Sequence, residues 1–286
     1  MLTNPNSTAH LNIVRVHSFV GPSCTGNPHS VVQSAQILSN AQGEELSRQL
    51  APDIVVLLDD SSNSVPKCDL NREHCLIENI RHVRFFQYGR MIHWCGSGLL
   101  AAAHVCQRQG YMPQALQCTA GTFSLTFRDG RWGFGCNISI RWRPAQHPHQ
   151  WHHLRSSKQR IINQLQSADA RGYILLELDS QSAVARWQSP CKHLQRHHSR
   201  TLIVTARASA RSPFDYVMRY FAPQYGNNED RATGSANAIL MVYWHRILHK
   251  QWLQGKQLSN AGGVFYGTVK GRKLVTLFGT TEEVTG

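Results

Sequence analysis

Two short stretches of this chain could do chemistry at the start of a helix: Cys95-Gly96-Ser97-Gly98 and Thr233-Gly234-Ser235. Each runs into an apolar segment, Leu99 to Val105 in one case and Ala236 to Trp244 in the other. Each therefore offers unpaired backbone N–H groups and the positive end of a helix dipole beside small side chains. A carboxylate would sit well there, and Gly234 lets it approach closely. Thr-Gly-Ser before a helix serves equally as a plain N-cap, and one copy alone does not choose between the two readings.

The elements that position these stretches repeat. Arg84-Phe85-Phe86, a turn, Cys95-Gly96-Ser97 and a helix correspond to Arg219-Tyr220-Phe221, a turn, Thr233-Gly234-Ser235 and a helix. Glycine-led hairpins follow, Gly121 to Arg131 in the first case and Gly262 to Arg272 in the second. Two halves built alike predict a pseudo-twofold molecule with one small-ligand site between them. Alternation predicts a strand at Leu11–Val16 and a short apolar run predicts a buried one at Ile54–Leu58; strands are also read at His82–Phe86, Tyr173–Leu178 and Thr201–Ala206, with last strands over 273–277 and 281–284. Helical spacing is read over 30–38, 43–50 and 156–166. Asp59 to Asp69 reads as a polar connection and 141–160 as the crossover linker.

Composition excludes several classes. The 286 residues suffice for one large or two medium domains, and no stretch of about 20 apolar residues or signal-peptide pattern occurs, so a soluble, cytoplasmic protein without membrane partners is expected. The formal net charge of +13 favours anionic partners, but the basic residues are spread thinly and carry no nucleic-acid-binding signature, so nucleic acid is not expected as a partner. Eight cysteines without a C-x-x-C pair argue against a zinc ribbon or thioredoxin-like site. The histidine tracts at 147–153 and 193–198 lack metal-ligand spacing and read as polar linker, and neither metal nor organic cofactor is expected.

Taken together, Gly26-Asn27-Pro28 with Val31-Val32, Arg84-Phe85-Phe86 through Cys95-Gly96 to Val105, Ala120-Gly121, Phe221-Ala222-Pro223, Glu229-Asp230, Ala232 to Ala236, Tyr243-Trp244, and Gln257-Leu258-Ser259 with Gly262-Gly263 resemble the phenazine-biosynthesis (PhzF-like) isomerase family, of diaminopimelate-epimerase-like fold, nearly end to end. The resemblance implies an α/β (α+β) fold of two pseudo-symmetric domains, each a curved, mostly antiparallel sheet wrapped around a central helix. They are expected over 1–135 plus 266–286 and over 136–265. It also implies a cofactor-free acid/base site in the cleft, a small anionic substrate and a homodimer. Members move a proton next to a carboxylate with side chains, the helix starts holding the anion.

The departures bear on substrate and base. Where phenazine-forming members carry a catalytic Glu, this chain aligns Asp53, one methylene shorter; where many carry Gly-His, it has Gly96-Ser97. Asn260-Ala261 replaces the usual Arg beside the C-terminal Gly-Gly. Asp53 is expected as base with Asp230 as its partner, and Asn27, Gly96, Ser97, Gly98, Thr233, Gly234 and Ser235 as substrate-binding residues. Cys95, a thiol at a helix N-terminus, is the alternative base, as in an epimerase, racemase or dehydratase. A small-carboxylate-binding protein that kept the fold and lost turnover is the non-enzymatic alternative.

Overall fold

The computed structural model describes residues 11–59, 80–145 and 160–284. The chain divides into two compact units: 1–20, 27–135 and 278–286 form one, and 21–26 with 136–277 form the other. The sequence reading put the return to the first unit at residue 266; in the structure 266–277 go with the second.

The first unit contains β1 (Leu11–Val20), β2 (Asn27–Ser34), α1 (Asn40–Gln49), β3 (Ile54–Leu58), β4 (Ile80–Gln87), β5 (Arg90–Ile92), α2 (Gly96–Arg108), β6 (Ala115–Cys118), β7 (Gly121–Arg128) and most of β8 (Arg131–Asn137). Its strands lie in the order β1-β2-β3-β4-β6-β7-β8, parallel at β2–β3 and β4–β6 and otherwise antiparallel, with β5 hairpinned onto β4. The register sorts its side chains cleanly. Arg15 pairs with Ser30 and Val16 with His29 across β1–β2, while His29 pairs with Ile54 and Ser30 with Val55 across β2–β3. Successive residues point to opposite faces. One face therefore carries Ser30, Val32, Val55, Leu57 and Phe86, packed with Leu38, Leu46 and Leu50 around α1. The other carries Val16, His29, Val31, Val56 and Phe85 against α2, where Gly98 leaves room for the Phe85 ring 2.7 Å from where a Cβ would stand. Leu99 to Ala103 are fully buried, so α2 is a core helix, each large side chain contributing roughly 1.5–3 kcal/mol.

The second unit contains β9 (Trp142–Pro144), β10 (Ile161–Ser167), β11 (Tyr173–Leu178), α3 (Gln181–Ala185), α4 (Cys191–His197), β12 (Thr201–Arg207), β13 (Tyr216–Phe221), α5 (Gly234–Leu248), β14 (Trp252–Gln257) and β15 (Gly263–Lys270). Neighbours follow the order β9 to β15, parallel at β11–β12 and β13–β14. α5 packs on β14 and β15, and its Trp244 stacks on Tyr216 and donates from Nε1 to Thr205 Oγ1 at 3.0 Å. β16 (Leu274–Glu283) is one strand where two were expected; it starts in the second unit and ends in the first, where it pairs with β1.

Two helical expectations give way to strands. Residues 27–34 are β2: Val31 and Val32 are β-branched, and burial on both faces erases the alternation that marks a half-exposed strand. Residues 161–167 are β10, paired with β9 and β11. Residues 156–159, the 147–153 histidine tract and most of 59–69 lie outside the described residues. The architecture is mixed α/β, and no helix among the described residues is long and apolar enough to cross a membrane.

Candidate functional site

In the first unit the turn before α2 gathers four polar side chains. Cys95 is the N-cap of α2, its Sγ accepting from Gly98 N at 3.3 Å. Ser97 Oγ is the hub. It lies 2.9 Å from His29 Nε2 and 3.2 Å from Cys95 Sγ, and Asn27 Nδ2 donates to it at 3.2 Å. Ser18 Oγ donates to the Ser97 carbonyl at 2.9 Å, which ties the turn to β1. His29 Nδ1 stands 3.3 Å from Val16 O. A carbonyl only accepts, so Nδ1 carries the proton, and in the neutral ring Nε2 is the acceptor for the Ser97 hydroxyl. Burial holds His29 neutral, lowering its pKa to about 3, with His17 adding to the effect against the backbone bonds that oppose it.

Asp53 is not part of this gathering. Its Oδ2 accepts from Ser30 Oγ at 2.9 Å and meets Arg15 Nε at 3.4 Å. All three belong to the α1 face of the sheet, opposite His29, because Ser30 is one residue on from His29. Asn27, Cys95, Ser97 and Gly98 are brought together, and the Phe134 ring stands 2.6 Å from where a Cβ on Gly96 would be.

In the second unit the turn before α5 is built differently. Thr233 is the N-cap of α5 but makes no side-chain cap; its hydroxyl donates to Asp230 Oδ2 at 2.6 Å. Gln257, fully buried on β14, holds the turn from below: Nε2 donates to Asp230 O at 2.6 Å and Oε1 accepts from Thr233 N at 2.8 Å. Asn237 Nδ2 donates to Thr233 O at 2.9 Å, and Tyr216 Oη donates to Asn237 Oδ1 at 2.9 Å. The first-turn N–H groups of α5 thus stay without a side-chain cap. Desolvation raises the pKa of Asp230 above its ordinary value, opposed by hydrogen bonds from Thr233, Asn227 and the backbone of Arg231 and Ala232. Ser235 is half-buried and hydrogen-bonded with the Tyr173 phenol.

Beside this turn lies a cavity of about 360 Å³ lined by Thr25, Glu229, Arg231, Ser259, Asn260 and Ala261. Glu229 is held by Arg219 through paired contacts of 2.7 and 2.8 Å, whereas Arg231 has no ion-pair partner among the described residues. Asn260-Ala261 therefore shares its cavity with a guanidinium that comes from the Asp230 turn. Among the described residues no three His, Cys, Asp or Glu side chains converge as a metal site.

Sequence reasoning passed over His29, Gln257 and Tyr216 as site residues. Gln257 belongs to the Gln257-Leu258-Ser259 motif, but nothing local ties it to residues 230–233. His29 had a signal: a histidine between Pro28 and Val31, on the parity that α2 covers.

A family model described as phenazine biosynthesis-like protein (PhzC-PhzF) matches residues 16–281. An uncharacterized isomerase of Vibrio cholerae is 27% identical over 253 residues, covering 86% of this chain and 80% of the relative. An uncharacterized isomerase of Pseudomonas aeruginosa is 30% identical over 199 residues, 67% of this chain and 71% of the relative. The crystal structure of a PhzF-family phenazine biosynthesis protein from Enterococcus faecalis superposes with a TM-score of 0.79 over 97% of this chain and 98% of that one, at 21% identity, which shows a shared fold. The chain belongs to the phenazine biosynthesis-like (PhzC/PhzF) family.

Proposed function

We propose that this protein is a cofactor-independent isomerase that moves a proton on a small carboxylate, amino-acid-like or cyclic, by side-chain acid/base catalysis. One observation carries the reading. Thr233 turns its hydroxyl from the helix to Asp230, which leaves the first turn of α5 uncapped next to a carboxyl whose pKa burial raises. An uncapped first turn suits an anionic group, and a carboxyl poised nearer neutrality suits proton transfer. Arg231 adds a cation in the adjoining cavity. The isomerase names of the relatives support the reaction class.

Asp230 and Cys95 are the proton-transfer candidates that this reading favours. Asp53 is engaged by Arg15 and Ser30 on the α1 face, and Cys95 with its partners occupies the other. Two pseudo-symmetric halves, a homodimer and a cytoplasmic location belong to the same proposal. It is tested by incubating the protein with small carboxylates in D₂O and following deuterium by mass spectrometry, in parallel with Asp230→Asn, Cys95→Ala and Asp53→Asn. Exchange that survives Asp53→Asn and is lost in Asp230→Asn or Cys95→Ala supports the assignment. Loss confined to Asp53→Asn returns the base to Asp53, and binding without exchange on any substrate makes the chain a carboxylate-binding protein.

A further inference from the structure

Where family members carry a Gly-His pair this chain has Gly96-Ser97, and an imidazole nonetheless stands 2.9 Å from that serine, delivered from β2 by His29. The proton inventory of the cluster is fixed by its acceptors. His29 Nδ1–H is committed to Val16 O, so Ser97 directs its single proton to Nε2. The oxygen of Ser97 is then left with lone pairs only. One accepts from Asn27 Nδ2, and the Cys95 S–H, 3.2 Å away, donates to the other. The result is a directed chain, Cys95 to Ser97 to His29. We propose that it works as a proton relay: Ser97 Oγ takes the thiol proton as its own proton passes to His29 Nε2. The products are a Cys95 thiolate and a His29 imidazolium joined by an unchanged serine, with no proton exchanged with solvent. His29 is thus a positioning residue that acts on Cys95 through Ser97.

The surroundings are consistent with this internal transfer. Gly98 N–H and the start of α2 stabilise the thiolate. The imidazolium, costly to bury alone, forms only with the sulfur anion 3.9 Å away. From β1 the titratable neighbours are His17, which faces Glu282 of β16, and Arg15, which lies with Asp53 of the β3 approach on the opposite face. On α2 the next ionisable side chains are His104, bonded to Thr281, the buried thiol Cys106, and Arg108, paired with Glu283. Cys95 is half-buried, whereas Ser97 and His29 are buried.

The inference rests on the proposed function only for its use in catalysis, and its test needs no substrate. The full-length protein is alkylated with iodoacetamide across pH 5–9, and the rate at Cys95 is read by peptide mass. An ordinary thiol, of pKa about 8.5, slows tenfold for each pH unit below its pKa. Internal transfer makes the thiolate fraction independent of pH. An ion pair populated at only about 3%, which leaves His29 largely neutral, already equals the ordinary thiolate fraction at about pH 7, so the unmodified protein should show a plateau at and below that pH. Ser97→Ala and His29→Gln should abolish that plateau, and Ser97→Thr, which keeps the hydroxyl, should retain it. A tenfold fall per unit in the unmodified protein overturns the relay whether or not the variants fold, as does a plateau that survives Ser97→Ala. A plateau with no deuterium exchange on any carboxylate leaves the relay standing and removes the isomerase reading.

Discussion

The turn before α2 and the turn before α5 look alike in sequence and are wired with opposite polarity. The first keeps a neutral imidazole: His29 is buried, its pKa lowered to about 3, and a sulfur caps the helix. The second keeps a carboxyl whose pKa burial raises, that of Asp230, and the residue that should cap the helix serves the carboxyl. Small residues before an apolar helix are therefore only a frame. The chemistry comes from what the neighbouring strands deliver, His29 from β2 in one unit and Gln257 from β14 in the other.

Breaking the second turn should have the largest consequence. Asp230→Asn removes the titrating group, and proton exchange should fall by roughly 10²–10⁴, the usual worth of general acid–base catalysis. An unchanged exchange rate in D₂O would end the claim that this turn holds the acid.

The next effect separates the two turns by pH. The folded pKa of His29, about 3, lies below the unfolded value, so its contribution is fully present above about 6.5 and is lost as pH falls from there towards 3. At about 1.4 kcal/mol per unit, up to roughly 4–5 kcal/mol is at stake. Thermal melts from pH 7 to pH 4 should show the loss, and His29→Gln should flatten it. Asp230 has the opposite sign: its raised folded pKa means that stability falls as pH climbs from about 3.9 through the folded value.

Gln257→Ala leaves Asp230 O and Thr233 N without their partner, at a cost of about 1–3 kcal/mol for each buried group left unpaired. Its melt should drop accordingly, and a drop no larger than that of a surface substitution would contradict the role given to Gln257. Smallest of all, Asp230→Asn should melt slightly higher than the unmodified protein at neutral pH, because it relieves a buried charge. A lower melting temperature would show that the hydrogen bonds around Asp230 outweigh its desolvation.

Much of this was legible in the sequence where information is local. Cys95 to Gly98 and Asp230 to Ser235 announce themselves by small residues against apolar helices, and α2 and α5 follow. What the sequence concealed depends on strand parity and register. Reading 30–38 as a helix erased the alternation of β2, which is what sets His29 and Ser30 on opposite faces and carries Asp53 to the side of Arg15. The tie from Gln257 to residues 230–233 spans more than twenty positions and follows from the parallel pairing of β13 with β14. The division between the units falls inside a single strand, β16, which no local sequence signal marks.

The opposite polarity of the two turns is tested most directly by one NMR titration of the unmodified protein, following the ring nitrogens of His29 and the carboxyl carbon of Asp230 together. His29 should remain largely neutral down to about pH 3, while Asp230 should ionise above the ordinary carboxylate value of about 3.9. A histidine that titrates near 6.5, or an aspartate that ionises at or below 3.9, would contradict the account.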